Sequence, residues 1–499
     1  VRMDFERQSG LFLHIASLPG PDGIGTLGAP ARTFVDYLAE SGQSLWQFCP
    51  LGPTIPLHDN SPYQSYSAFA GNPLFIDLDE LAADGYLDDI DRPDFDPETV
   101  EYGPVREFKE DRLETAFENF EADASEADRE AFEAFKEKSG AWLDEYALFR
   151  ALRSHFDGKG WLEWPEECKM RDSDTLAEYR EELADTIEYR RFLQWQFDKQ
   201  WSALKAYAND RGVGFVGDMP IYVDLDSADV WANPESFKLD EEREPKYVSG
   251  VPPDEFSDDG QLWGMPVYDW DSIAENDYDW WVSRFERLLE RVDVFRIDHF
   301  KGFESYWEIP AGAETAREGE WVDGPHEDVF HAVRDELGEL PIIVEDLGEV
   351  TDEMDRIRTE LGFPGMNVAP FADWCDPESR YHPASYDENS VAYTSTHDTD
   401  TVNGWYENLD DEQQDCLDYA VDYEGGDINW DILGAIWDSN SVISLAQLQD
   451  ILGLGSEARF NVPGTEEDNW NWRVREEQLT DDTAQQLYAL TDETDRLTE

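Results

Sequence analysis

Short apolar runs alternate with amphipathic stretches along most of this 499-residue chain. Residues 10–20, G-L-F-L-H-I-A-S-L-P-G, read as a buried strand closed by a turn. Residues 31–41 then repeat apolar positions at helical spacing and stop at Gly42, in the place of a C-cap. Residues 44–51 are apolar again and end at Gly52 and Pro53. Strand, helix and strand joined this closely predict parallel pairing. The same design returns downstream. Buried strands are predicted near residues 11–16, 45–50, 214–219, 292–298, 341–345, 365–370, 391–397 and 442–448, with helices between them at 189–211, 279–291 and 327–337. Eight such units predict an α/β fold, a (β/α)8 TIM barrel with large insertions between strands, whose active site lies at the C-terminal strand ends.

Two regions break the rhythm. Residues 75–187 turn to charged, helix-forming sequence, clearest at 107–121 and 124–138, and predict a helical insertion with solvated acidic faces. Residues 226–289 predict a loop-rich insertion beside the cleft, since 247–270 carry too much proline and glycine for a regular element. The barrel is thereby assigned to 1–74, 188–225 and 290–499. Within it, residues 60–73, N-S-P-Y-Q-S-Y-S-A-F-A-G-N-P, predict a polar pocket lined by Ser61, Tyr63, Gln64 and Tyr66.

Charge narrows the partners. With 115 acidic and 38 basic residues the net charge is −77, which repels nucleic acid and anionic membrane surfaces. Hydrophobic residues make up 40% of the chain and occur throughout it, so this is not disorder. The acids are spread as widely, which predicts a surface adapted to high salt, as in a halophile. No apolar run is long enough for a transmembrane helix, and the opening residues lack the apolar core of a signal peptide. Cys49, Cys168, Cys375 and Cys416 form no C-x-x-C pair and no disulfide-framework spacing, which predicts a reduced, cytoplasmic setting. Asp224, Asp226 and Asp229 lack the glycine and distal glutamate of a calcium loop and read as a solvated turn.

The chemistry concentrates at three strand ends. In residues 292–300, V-D-V-F-R-I-D-H-F, alternation puts Arg296 and Asp298 on one face. A guanidinium favours the ionised carboxylate that a nucleophile requires, although the same pair also serves as a structural ion pair in a buried strand. Two later strands of the same design decide between these. Residues 340–348, L-P-I-I-V-E-D-L-G, lead into Glu345, and 390–398, S-V-A-Y-T-S-T-H-D, end in His397 and Asp398. Three acids around one cavity point to glycoside chemistry, in which an ionised nucleophile faces an acid about 5–5.5 Å away. Asp298 suits the nucleophile. Glu345, without an adjacent base, should be pushed up by burial and suits the acid/base. Asp398 beside His397 suits holding sugar hydroxyls or stabilising positive charge on the ring. The rival reading is a divalent metal site, against which the arginine partner weighs.

F-R-I-D-H-F, V-E-D-L-G and S-T-H-D together resemble the three catalytic segments of the α-amylase clan. N-S-P-Y-Q-S-Y-S-A-F-A-G-N-P, G-D-M-P-I-Y-V, G-V-P-P-D-x-F-S-x-x-G-Q-L-W-G and R-F-N-V-P-G-T narrow the resemblance to the amylomaltase (disproportionating enzyme) family, the 4-α-glucanotransferases of glycoside hydrolase family 77. It runs from about residue 10 to residue 475. The resemblance implies transfer of α-1,4-glucan segments between maltooligosaccharides by a retaining double displacement through a covalent glucosyl-aspartate. It implies Asp298 as nucleophile, Glu345 as acid/base and Asp398 as transition-state stabiliser. Arg296, His397, Asp218, Tyr63, Ser61, Gln261, Trp263 and Asn461 match substrate-binding positions, and Asp373 matches one through an altered segment at 371–374. Residues 250–260 resemble a mobile loop that favours sugar over water as acceptor. No metal or organic cofactor is implied, nor any nucleic-acid or membrane partner; the expected state is a monomer or small homo-oligomer. Met265 stands where the family usually has asparagine, and Asp224-Leu225 replaces a small residue and histidine. A plain α-glucan hydrolase using the same carboxylates, an inactive glucan-binding protein and a metal-dependent barrel enzyme are the competing readings.

Overall fold

The computed structural model describes residues 5–253, 257–348, 350–465 and 467–498. Eight parallel strands make one sheet: β1 (Gln8–Phe12), β2 (Leu45–Gln47), β3 (Gly214–Pro220), β4 (Val294–Asp298), β5 (Ile342–Val344), β6 (Gly365–Val368), β7 (Ser390–Tyr393) and β8 (Ile443–Gln447). Their order is β6-β7-β8-β1-β2-β3-β4-β5, the chain order read around a ring. At the seam Val344 N–H donates to the Pro364 carbonyl at 3.0 Å, so the barrel is nearly closed. All eight predicted strands are present; β3 runs one residue past its predicted 214–219, β1 begins three residues before its predicted start, and the other six are shorter than expected. β7, expected to reach residue 397, stops at Tyr393.

Strand alternation sorts side chains between the barrel interior and the helical layer. Leu45, Val216, Val294, Ile343, Met366, Val368, Val391, Tyr393, Ile443 and Leu445 form one buried cluster inside the barrel. Arg296 and Asp298 continue the inward row of Val294, whereas Phe295 packs outward against Phe285, ring centroids 5.4 Å apart. Phe285 belongs to the helix Asp279–Arg291, which matches its predicted span. Helix Ala29–Glu40 ends where Gly42 takes φ 72°, a conformation glycine adopts without steric cost.

The region after residue 75 is helical, with Tyr102–Asp123 and a long Glu126–His155 as its main members. The stretch 247–270 is not irregular as expected. Tyr247–Val251 and Gln261–Pro266 pair antiparallel, and Ser305–Pro310 and Glu320–Asp323 complete a four-stranded sheet with them. The second partner of Tyr247–Val251, Ser305–Pro310, lies beyond β4 in the chain, which hides the sheet from local reading. Glycine serves this sheet where backbones crowd: a Cβ on Gly250 would meet the Gln261 carbonyl oxygen at 2.2 Å. Of the loop 250–260, residues 254–256 lie outside the described residues.

Two further expectations are corrected. Asp224, Asp226 and Asp229 are not a solvated turn. Asp224 pairs with His58, Asp226 with Arg153, and buried Asp229 accepts the Ala68 N–H at 2.8 Å. Their partners come from the 58–68 loop and the helical insertion, which a local reading cannot see. Nor are all cysteines free. Cys375 and Cys416 form a disulfide across 41 residues, while Cys49 and Cys168 stay buried as thiols. The fold brings the 375 loop against the helix Asp411–Ala420, and sequence spacing carries no sign of that. Among the described residues no helix is long and apolar enough to cross a membrane.

Candidate active site

The C-terminal ends of β3 and β4 and the loop after β7 open on a cleft of about 900 Å³. Its walls include Ser61, Tyr63, Gln64, Gln261, Trp263, Met265, Asp298, His299, His397, Asp398, Asn461 and Trp470.

Arg296 is the hub. Its guanidinium lies 2.8 Å from Asp298 Oδ1 through one nitrogen and 2.8 Å from Asp218 Oδ2 through another. The β3–β4 register sets this arrangement, because Asp218 lies opposite Arg296 and Pro220 opposite Asp298. Tyr63 donates its hydroxyl to Asp218 at 2.8 Å. Burial pushes Asp218 up to about 6, against the pull of Arg296. A buried carboxylate, a buried guanidinium and a cleft-facing carboxylate thus form one row, with Asp298 at its open end.

Glu345 is held differently. It follows β5 directly, and its own N–H donates to the Ile297 carbonyl at 2.9 Å. Its carboxylate accepts two backbone N–H groups, from His299 and Leu347, each at 2.8 Å. His299 can present its N–H there because it takes φ 56°, the left-handed region that few side chains occupy. Burial first, and then the charge of Asp298, raise Glu345 to about 7. The two neighbouring acids therefore stand in contrasting environments, one ion-paired and one, among the described residues, without a cationic partner at hydrogen-bond distance.

Asp398 lies in the loop after β7. Burial acts to raise it, but the charge and hydrogen bond of His397 and a bond from Asn461 prevail and hold it well below the usual carboxylate range. His397 Nε2 is 3.1 Å from Asp398 Oδ2, and Asn461 Nδ2 donates to Oδ1 at 2.6 Å. About half of the Asp398 side chain remains open to the cleft. The His397 ring stacks on Tyr63, centroids 4.9 Å apart, with Trp470 at 5.8 Å from both, which forms an aromatic floor. On the opposite side, Trp263 meets the His299 ring edge-on at 4.8 Å and donates its indole N–H to Gln261 at 3.1 Å.

Asp298, Asp398, His397, Tyr63, Ser61, Gln261, Trp263 and Asn461 thus line one cleft, with Arg296, Asp218 and Glu345 packed directly behind it. Asp373 is not among them. It faces the disulfide loop, where it accepts from Cys375 N at 3.0 Å and Gln413 Nε2 at 3.2 Å.

Comparison with known proteins agrees with this geometry. The sequence model of glycoside hydrolase family 77, described as 4-alpha-glucanotransferase, matches residues 13–480. The chain belongs to the 4-alpha-glucanotransferase family. It is 42% identical to the 4-alpha-glucanotransferase of Clostridium butyricum over 96% of this chain and 99% of the relative. With the Thermus thermophilus 4-alpha-glucanotransferase the identity is 43%, over 99% of this chain and all of the relative. The amylomaltase from Streptococcus agalactiae, solved in complex with acarbose, superposes with TM-score 0.95 at 40% identity, over 99% of this chain and 100% of that one. The chain is accordingly an enzyme that transfers α-1,4-glucan units.

As a member of this family it carries cleft residues that reading the motifs did not single out. His299 both fixes Glu345 and lines the cleft; its place directly after Asp298 in F-R-I-D-H-F was the available signal. Burial lowers its ring to about 4, so it meets a substrate as a neutral imidazole. Trp470 has no such signal, because only the fold brings it to His397.

Proposed function

We propose that the transfer is a retaining double displacement with Asp298 as nucleophile, Glu345 as acid/base and Asp398 as stabiliser of the oxocarbenium-like transition state. The observation that carries this reading is the contrast between two adjoining acids: Asp298 paired to Arg296, and Glu345 held by backbone N–H groups and raised to about 7. In the first step a carboxylate oxygen of Asp298 attacks the anomeric carbon as its bond to the glycosidic oxygen breaks. Glu345 gives its proton to that oxygen, and the shortened glucan leaves from its new 4-hydroxyl end. In the second step the 4-hydroxyl of an acceptor glucan loses its proton to Glu345 and attacks the same carbon, which breaks the ester to Asp298. Two inversions restore the α configuration. Asp398, kept anionic by His397 and Asn461, faces the developing positive charge.

The proposed binding set is Arg296, His397, Asp218, Tyr63, Ser61, Gln261, Trp263 and Asn461, with Tyr63, His397 and Trp470 offering ring faces to a pyranose. Asp373, turned to the disulfide loop, contributes only if substrate reaches beyond the cleft. The barrel acts as the catalytic unit, and the insertions 75–187 and 226–289 shape its approaches. Maltooligosaccharides and longer α-1,4-glucans serve as donors and acceptors. We also propose a cytoplasmic location. The buried thiols Cys49 and Cys168 fit it and the Cys375–Cys416 bond is the feature against it, so thiol counting on protein alkylated at cell lysis tests it.

Incubation with maltotriose in molar salt, with products separated by size, tests the reading. Glucose, maltopentaose and longer chains should form with no rise in total reducing ends. Climbing reducing ends would make the chain a hydrolase in practice. Asp298→Asn should lose nearly all turnover yet still bind glucan; near-normal turnover would refute the nucleophile assignment.

A further inference from the structure

Asp398 does not sit on a strand. It sits in the segment 394–402, which leaves the barrel after Tyr393 and returns at the helix Val402–Glu407. What holds that segment is a carboxylate beneath it. Asp450, in the turn of helix that follows β8, is 4% exposed. One of its oxygens accepts the hydroxyls of Thr394, at 2.6 Å, and of Ser395; the other accepts the Val402 N–H at 2.8 Å. Both ends of the segment therefore close on one side chain. Ser395 is gripped a second time by Gln447 Nε2, which also donates to the Thr396 carbonyl at 2.8 Å. Asp450 is itself fixed, since its carbonyl accepts Asn429 Nδ2 at 2.8 Å.

Among the described residues no cation pairs with this carboxylate: the hydrogen bonds to it come from hydroxyl and amide groups alone. Leaving a carboxylate desolvated in this way is costly, and an apolar residue would pack the site without that cost. A neutral amide could not replace it, because three donors converge and an amide offers one accepting oxygen. The arrangement suits a residue that is kept for the geometry it imposes.

We propose that Asp450 is a positioning residue for transfer: it closes the 394–402 segment at both ends and so fixes the Asp398 carboxylate against the sugar ring. The inference rests on the reading of Asp398 as transition-state stabiliser. An Asp450→Asn substitution removes one of the two accepting oxygens, frees one end of the segment and deletes no cleft-lining side chain. A misplacement near 1 Å at a charge-stabilising group lowers turnover by up to about 100-fold, whereas the Tyr63 and Trp470 rings of the aromatic floor lie outside the segment and keep their ground-state contacts.

The test measures kcat and KM for maltotriose disproportionation, together with Tm, for the full-length parent, Asp450→Asn, Thr394→Val and Asp398→Asn. In Asp450→Asn, kcat should fall between about 10- and 100-fold with KM within about twofold of the parent. Thr394→Val, which loses one hydroxyl donor and keeps the carboxylate, should show a smaller loss of the same type and decides the matter if Asp450→Asn fails to fold. Parent-like kcat in folded Asp450→Asn, or in Thr394→Val where that variant decides, overturns the proposal. So does a kcat loss no larger than the missing folded fraction, or one in which KM is displaced as much as kcat, since either is a structural role alone. Full activity in Asp398→Asn would overturn the reading of Asp398 and this inference with it.

Discussion

The sharpest test of the site needs no substrate. Glu345 stands near 7 instead of its ordinary 4.5, chiefly because it is buried and secondly because Asp298 is charged. A carboxyl raised on folding binds its proton more tightly in the folded chain than in the unfolded one. The associated stability is fully present below 4.5 and is lost as pH rises through about 7. Over the whole window the loss is on the order of 3 kcal/mol. Glu345→Gln removes this dependence, because an amide does not ionise. The substitution also replaces one accepting oxygen by a donor facing a backbone N–H, a cost of about 1–3 kcal/mol. A protonated carboxyl carries a similar cost, so the hydrogen-bond change largely cancels when two pH values are compared. Between pH 5 and pH 8.5 the variant should gain about 2–3 kcal/mol relative to the parent. In a chain of this length that is a relative Tm shift of about 2–3 °C. Calorimetry of both proteins in molar salt at the two pH values reads it directly. A Tm difference between variant and parent that is flat across pH would refute the placement of a strained, proton-holding acid at residue 345. With Glu345 as the proposed acid, the same titration should appear in the parent enzyme as transfer that declines above pH 7.

Two other outcomes follow from charge and covalent structure. With a net charge of −77, the folded chain repels itself in dilute buffer, and molar salt shortens the screening length to about 3 Å. Tm should therefore rise steeply with salt, and a Tm indifferent to salt would remove the halophilic reading. The Cys375–Cys416 bond closes a loop of 41 residues that contains β7 and Asp398. A loop of that length is worth about 4 kcal/mol in the chain-entropy model, so Cys416→Ser should lower Tm by about 4 °C in the same terms. An unchanged Tm would show that the bond constrains nothing in the unfolded chain.

Much of the candidate site was legible in the order of residues. Asp298, Glu345 and Asp398 each follow an apolar run, and short buried strands advertise their ends in that way. Arg296 and Asp298 were placed on one face by alternation alone, and the structure pairs them at 2.8 Å. The antiparallel strands at 247–266 escape a local reading because proline and glycine mask them and the second partner of Tyr247–Val251 lies at Ser305–Pro310. Asp224, Asp226 and Asp229 were misread for a related reason: their partners His58, Arg153 and Ala68 are remote in sequence.

By itself, the sequence determined the eight-strand rhythm, the positions of the three acids and the family, all of which depend on periodicity and on motifs a few residues long. The apolar strand before it already pointed to a raised Glu345; only the tertiary structure decided that Asp398 is lowered, that Asp373 turns from the cleft, that Cys375 meets Cys416, and that Asp450 grips the loop of Asp398. Burial, charge and hydrogen-bond partners are set by what lies nearby in space, and around this cleft those neighbours come from β strands and loops tens to hundreds of residues apart.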